Sequence, residues 1–406
     1  MEPLTGRETL KEAVRKLADQ VFERVVQFRR HLHRYPELSM QEHATAAFIT
    51  SKLAEWGIPF IAGVAGTGIV ATVHGANPNS QLIALRADMD ALPITEAGNV
   101  DYRSENNGVM HACGHDAHVA SLLGAAYILN RLSDRFEGSV RLLFQPSEET
   151  YPGGASMMIA EGVLENPVPT AIFGQHVFPL LEAGEVGFRS GNSMASTDEI
   201  YITVNGKGGH GATPDQVTDP VLIASHLLIS LQQLVSRKAP PMVPTVISFG
   251  RFIAEGRVNI IPDTANLEGT FRTYDENWRK EAHALIKQHA EKFTESMGAS
   301  CNVRIEKGYP VLKNDNILTE RAIQYATEYL GHQKVKQIEP RMSSEDFAWY
   351  SQIVPACFYR LGTANQHKGI NANLHTAAFN IDEEALRTGT GLMAWIALCE
   401  LNAASG

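Results

Sequence analysis

Leu10, Val14, Leu17, Val21, Val25, Phe28 and Leu32 recur at steps of three and four residues and lay one apolar face along a long first helix. Pro36 sets its latest end, because the residue before a proline avoids helical angles. Short β-rich runs follow at 69–73 and 82–85, then a helical pattern at 118–132. The run 140–144 reads as a buried strand closed by Pro146, and 171–177 and 185–188 read as further strands. Strands alternating with helices predict an α/β domain built on a mainly parallel, mixed sheet between helices. The rhythm then changes. A strand at 199–204 precedes a helix at 220–235 with Asp219 as its N-cap, strands at 245–249 and 265–273, a long helix at 275–297 ended by Gly298, and a strand at 300–306. This β-α-β-β-α-β order is the ferredoxin-like α+β pattern, and it can bury a core of its own. The α/β pattern resumes with a helix at 317–330, a strand at 358–361 and a helix at 383–401. The expected organisation is an α/β domain in two segments, 1–194 and 309–406, with an inserted domain at 195–308.

Composition narrows the class of partners. A chain of 406 residues is too long for one compact core, in keeping with two domains. With 35 Lys+Arg against 45 Asp+Glu the formal charge is −10, which lacks the basic footprint that gripping nucleic acid requires. The four cysteines, Cys113, Cys301, Cys357 and Cys399, form no C-x-x-C pair and no disulfide ladder, which fits a reducing compartment. The first residues are charged, with no apolar leader, and no window holds eighteen uninterrupted apolar residues, so a cytoplasmic protein without a membrane partner is expected.

The candidate chemistry sits just past the predicted strands. His111-Ala-Cys113-Gly-His115-Asp116-Ala-His118 packs three histidines, a cysteine and an aspartate into eight residues. Imidazole and thiolate are the natural ligands of zinc-like ions, although buried hydrogen-bonded histidines at a helix start would read the same way. Glu148-Glu149 follows the buried strand 140–144, at the carboxyl end where α/β sheets place their sites. One carboxylate of such a pair can hold a metal while its neighbour handles protons; a solvated acidic loop is the plainer alternative. His176 lies in a strand-like run, where a satisfied core histidine is the default, and His375 lies in a C-terminal loop. Asp88 and Asp90 follow another strand, as orienting partners for histidines or as turn formers. Together these residues assemble the N, S and O donors and the free carboxylate that a two-metal hydrolase needs.

RADMDALPI, HACGHDAH, FQPSEE, FGQHVFP, GKGGHGATP, VNIIPD and NLHTAAF occur in that order. In this set the sequence resembles the metal-dependent amidohydrolases of the aminoacylase and carboxypeptidase type, metallopeptidase family twenty. It is most similar to the branch of N-acyl-amino-acid amidohydrolases, hippuricases and indoleacetyl-amino-acid hydrolases, over nearly the whole chain. The resemblance implies a zinc-peptidase-like catalytic domain with an inserted dimerisation domain. It implies Cys113, His115, Glu149, His176 and His375 as ligands of two divalent ions, Glu148 as general base and Asp90 as the acid behind the metal site. It implies His210 as a donor that reaches the partner subunit's site, and Asn259 with Arg272 as the pair that holds the substrate carboxylate. The substrate class is then an N-acyl amino acid, the ions are zinc or else cobalt, nickel or manganese, and the assembly is a homodimer or dimer of dimers through the inserted domain. The wider family has His-x-Asp where this chain has Asp88-Met-Asp90, and a bridging aspartate where this chain has the Cys/His motif. A thiolate favours a softer ion over magnesium. Two other readings remain open at this stage: a thiol hydrolase with Cys113 as nucleophile, and a non-catalytic metal-binding protein of the same fold.

Overall fold

The computed structural model describes residues 6–403. They form two compact units: one from residues up to Gly191, Lys313–Glu339 and from Asp346 onward, the other from Asn192–Leu312 with Pro340–Glu345. The hexapeptide 340–345 thus packs with the inserted unit, although the sequence pattern resumes its α/β rhythm well before it.

The first unit is built on an eight-stranded mixed sheet in the order Phe60–Val64, Gly68–His74, Ser139–Gln145, Leu82–Asp88, Ile172–Glu182, Ala356–Ala364, Val186–Phe188, Val335–Gln337. Its centre is parallel, from Ser139–Gln145 through Ala356–Ala364. The edge strand Phe60–Val64 and its neighbour Gly68–His74 pair antiparallel. Leu82–Asp88 is buried at every position, the signature of a strand covered on both faces.

The first helix, Gly6–Arg34, buries Leu10, Val14, Val21, Val25, Phe28 and Leu32, the stripe seen in the sequence. His115–Arg131 is buried almost all round, as a helix inside a large core must be. It meets the first helix and the last, Ala385–Ala403, at Gly124. A Cβ there would stand 2.6 Å from Thr390 Cγ2 and 2.8 Å from Val25 Cγ2, so only glycine lets the three helices approach. The sequence pattern misses His43–Glu55 because only Thr45, Ile49 and Leu53 are buried, a stripe too thin to stand out.

The second unit has four antiparallel strands in the order Thr245–Ile253, Thr264–Thr273, Asp198–Asn205, Ser300–Lys307, with helices Pro220–Gln233 and Glu276–Ser296. This is the ferredoxin-like order the sequence predicts. Asp219 caps the first helix by accepting from Val221 and Leu222 N–H, and Gly298 turns the chain after the second at φ 76°. Its core gathers Ile200, Ile202, Leu227, Leu231, Leu267, Phe271 and Ile286. The buried Arg279 guanidinium grips Asp198 through two bonds of 2.9 and 2.5 Å and ties the second helix to the first strand.

Candidate metal centre

Three strand ends, one helix start and one loop of the first unit converge on a cluster of donors that is buried apart from the exposed His375 and half-buried Glu149. Leu82–Asp88 delivers Asp88 and, two residues on, Asp90. Gly114, at φ 81°, turns the chain into the helix that starts at His115. A Cβ at Gly114 would lie 2.5 Å from Val177 Cγ2, so this turn tolerates no side chain. Ser139–Gln145 delivers Glu148 and Glu149 through Ser147, which is held in the left-handed region at φ 51°. The buried Glu42 carboxylate accepts the Ser147 N–H at 2.9 Å and braces that turn. Ile172–Glu182 carries His176, and the loop after residue 372 brings His375, also left-handed at φ 60°, with its N–H on the Ala112 carbonyl at 2.8 Å. Strained backbone at two such positions is what a functional site held by its surroundings looks like.

The side chains then meet. His375 Nε2 lies 3.2 Å from Cys113 Sγ and 3.3 Å from Glu149 Oε1, and His176 Nε2 lies 3.5 Å from Cys113 Sγ. His115 Nε2 stands 3.9 Å from Glu149 Oε1. Cys113, His115 and His176 form one group whose donor atoms all fall within 4.8 Å, and Cys113, Glu149 and His375 form a second. The orientation of each imidazole is set from behind. His115 Nδ1 faces Asp90 Oδ1 at 3.2 Å, and His176 Nδ1 donates to the Val177 carbonyl at 2.8 Å, so both rings turn Nε2 inward. Asp90 Oδ2 also accepts the Glu149 N–H at 3.0 Å and the Ser39 hydroxyl at 2.6 Å, so one carboxylate braces two of the inward-facing residues.

Two atoms test whether an ion fits. His115 Nε2 and Glu149 Oε1 are both buried and have no hydrogen-bond partner, although they face each other across the cluster. Buried polar atoms rarely stay unpaired, and a cation between them satisfies both. The electrostatics agree. Burial, followed by the Glu149 and Glu148 carboxylates, pushes the Cys113 thiol well above its ordinary value. Burial works to neutralise His115, but Asp88 and Asp90 outweigh it and lift the imidazole to about 10. An excess of carboxylate around a thiol and histidines is the field a divalent cation balances. Burial and the nearby His118 and Arg360 hold His176 well below its ordinary value, in the neutral form a ligand needs. A buried thiol pushed upward among carboxylates is the opposite of an activated nucleophile, which weighs against the thiol-hydrolase reading.

Glu148 is buried beside Glu149, and its Oε1 faces the Asp346 N–H at 3.4 Å. In the second unit, His210 and Asn259 come together: Ile260 pairs with His210 and the Gly211 N–H bonds the Asn259 carbonyl at 2.9 Å. The His210 ring is exposed, and its Nδ1 accepts the Ala212 N–H at 3.1 Å, which leaves Nε2–H as an outward donor. The glycines around it serve close approach rather than unusual angles. Cβ atoms at Gly206 and Gly208 would lie 2.1 and 2.4 Å from carbonyl oxygens, and neither residue has positive φ. Arg272 is not brought to that ribbon. It sits at the far end of Thr264–Thr273, its Nη1 3.2 Å from the Met342 carbonyl and 3.4 Å from Ser344 Oγ. Sequence reasoning left out Glu42 and gave no role to Arg86 and His118, although both lie inside the motifs; all three are buried behind the site.

The chain matches the model of peptidase family M20/M25/M40 over residues 84–398. An N-acetyl-L-cysteine deacetylase of Bacillus subtilis is 38% identical over 93% of this chain and 88% of its own length. An N-acyl-L-amino acid amidohydrolase of Geobacillus stearothermophilus is 40% identical over 75% of this chain and 82% of its own. The crystal structure of the Bacillus subtilis YXEP protein, described as a dinuclear metal binding peptidase, superposes with a TM-score of 0.83 at 34% identity, covering 95% of this chain and 99% of that one. With the fold, the donor cluster and these likenesses in agreement, the chain belongs to the M20 family of metal-dependent peptidases and amidohydrolases.

Proposed function

We propose that this enzyme hydrolyses the amide bond of N-acyl amino acids to a carboxylic acid and a free amino acid, with two divalent ions held by Cys113, His115, Glu149, His176 and His375. The observation that carries this reading is the pair of orphaned, buried atoms, His115 Nε2 and Glu149 Oε1, inside a cluster of N, S and O donors next to the buried carboxylate of Glu148. The soft thiolate makes zinc the first choice, ahead of cobalt, nickel and manganese. Bound ions supply Lewis acidity, which lowers the pKa of water and polarises the amide carbonyl. Glu148 takes the proton of the attacking water and returns it to the departing amide nitrogen. Asp90 holds His115 and the Glu149 backbone in place throughout. His210 presents Nε2–H to the developing oxyanion.

A hydrolysis panel of acetyl, benzoyl and indoleacetyl amino acids tests the reading, run before and after exhaustive chelation and after return of each metal. Activity is expected to vanish with the metal and to return with a transition metal ion; full turnover of metal-free protein, checked by elemental analysis, rejects it.

Arg272 and Asn259 are proposed to grip the substrate α-carboxylate. Burial lowers the Arg272 pKa, and among the described residues no carboxylate bonds it, so an incoming carboxylate would find an open fork. Amidating the α-carboxylate is expected to cut kcat/KM by at least about a hundredfold, since a half-buried guanidinium then stays without its anionic partner. Equal rates on an acyl amino acid and its amide would discard the assignment.

Geometry inside the second unit says how such a pair can share one ligand. The His210–Asn259 ribbon is anchored at Asp263, which accepts from Gly206 and Gly208 N–H, and Arg272 lies nine residues further along the extended chain. At ~3.3 Å per residue that is on the order of 30 Å, far beyond the span of one carboxylate. Asn259 and His210 of one copy are therefore assigned to the site that uses Arg272 of another. That assignment supports the proposal of a homodimer, or a dimer of dimers, through the inserted unit. Its helix Pro220–Gln233 leaves Leu222 and Ile229 exposed seven residues apart on one face, and its edge strand Thr245–Ile253 exposes Phe252. Among the described residues no helix is long and apolar enough to cross a membrane, and a cytoplasmic setting is proposed.

A further inference from the structure

His118 lies three residues after His115 on the same buried helix, within reach of the donor cluster, and its two ring nitrogens are both engaged elsewhere. Nε2 accepts the Val177 N–H at 2.8 Å. A backbone N–H can only donate, so Nε2 carries no proton, and Nδ1 must carry one and donate it to Asp88 Oδ1 at 2.5 Å. Asp88 Oδ2 in turn receives Arg86 Nη1 at 2.5 Å, and Arg86 spends Nε on Gln145 at 2.8 Å and Nη2 on Asp346 at 2.6 Å. Arg86, Asp88 and His118 are all fully buried.

The place of this chain of bonds in the sheet explains its purpose. Leu82–Asp88 and Ile172–Glu182 run parallel only as far as the pair Arg86 and Gly174. Beyond it the strands part, and the ligand cluster occupies the gap. Val177, three residues past the last pair, turns its N–H into that gap and finds a side chain there instead of a strand. Its carbonyl accepts from His176 Nδ1 at 2.8 Å. The residue that aims His176 is thus held at one end by His118.

We propose that His118 is a positioning residue: through Val177 it fixes the strand and ring of His176 for metal binding, and it is not itself a ligand. This rests on the assignment of His176 as a ligand. The Arg86–Asp88 pair locks the tautomer that makes His118 an acceptor, so Asp88 serves this chain through His118 rather than by touching the ion.

Three measurements on the full-length protein test it. In wild-type protein, histidine ¹⁵N spectra are expected to show one imidazole with Nδ1–H and bare Nε2 that stays unchanged as zinc is added, while other imidazoles shift. Cobalt titrations of wild type, His118→Leu and His118→Gln are read by the visible absorption of the cobalt and by its thiolate charge-transfer band. The Leu variant is expected to bind cobalt about 10–100-fold more weakly with an altered spectrum, the usual cost of losing a partner that orients a ligand. The Gln variant keeps an acceptor for Val177 N–H and is expected to recover the wild-type spectrum and most of the affinity. Wild-type affinity and spectrum in the Leu variant overturn the proposal, and so does a His118 signal that shifts with zinc. Loss of one bound equivalent in both variants overturns it too, because His118 would then be a ligand. Should wild-type protein bind no cobalt at all, the metal reading itself falls, a result distinct from each of these.

Discussion

Glu148→Gln is expected to lower turnover by roughly 10²–10⁴-fold while the protein keeps its full metal content, whereas Glu149→Gln is expected to lose metal first and activity as a consequence. The two carboxylates are adjacent in sequence and divided in space. Glu149 Oε1 is the orphaned oxygen that faces His115 and His375 at 3.9 and 3.3 Å. Glu148 Oε1 instead faces the Asp346 N–H, and burial keeps it out of bulk water. The left-handed Ser147 and the Asp90 bond to the Glu149 N–H hold this split. An amide in place of Glu148 preserves shape and removes the proton acceptor, so KM and metal content should barely move. Elemental analysis beside steady-state kinetics decides the matter; metal loss in the Glu148 variant with metal retained in the Glu149 variant would reverse the two roles.

Mixing His210→Ala with Glu148→Gln under conditions that exchange subunits is expected to restore activity that neither variant has alone. Losing a preorganised oxyanion donor costs about 10²–10³ in turnover, so each parent starts near background. If His210 serves the partner's site, a mixed dimer holds one site with Glu148 and a donated His210 both intact. Random exchange then returns about a quarter of wild-type activity per subunit, from symmetry alone. Asn259→Ala mixed with Arg272→Met should complement in the same way, since the extended strand Thr264–Thr273 holds those residues apart within one copy. Heterodimers proven by mass and still inactive would place His210 in the service of its own subunit.

The elements legible in the sequence were those with strong periodicity. The stripe from Leu10 to Leu32 and the β-α-β-β-α-β unit gave the first helix and the whole ferredoxin-like order, caps at Asp219 and Gly298 included. Edge and connecting pieces were not legible. Phe60–Val64 is exposed along most of its length and carries no alternation to read, and Val335–Gln337 is three residues long. At the site, the motifs pointed to Cys113, His115, Glu149, His176 and His375, and the fold gathers those donors. What pattern could not supply was direction. That His118 turns both nitrogens away from the cluster depends on where two strands part, a long-range fact that no local spacing encodes.

The chain order of the central sheet bears on how the protein is made. Ala356–Ala364 pairs in parallel with Ile172–Glu182, about 180 residues earlier, and the inserted unit lies between them. During synthesis Ile172–Glu182 therefore waits with one apolar edge unpaired while the inserted unit, whose contacts are closer in sequence, has time to fold on its own. The last hundred residues must then find their place between strands already laid down. A nascent chain paused before Ala356 exposes a hydrophobic edge, so release of truncated products should lead to aggregation or chaperone capture rather than to a soluble fragment. The donor cluster closes only once Ala356–Ala364 has been made, because His375 follows that strand in the chain.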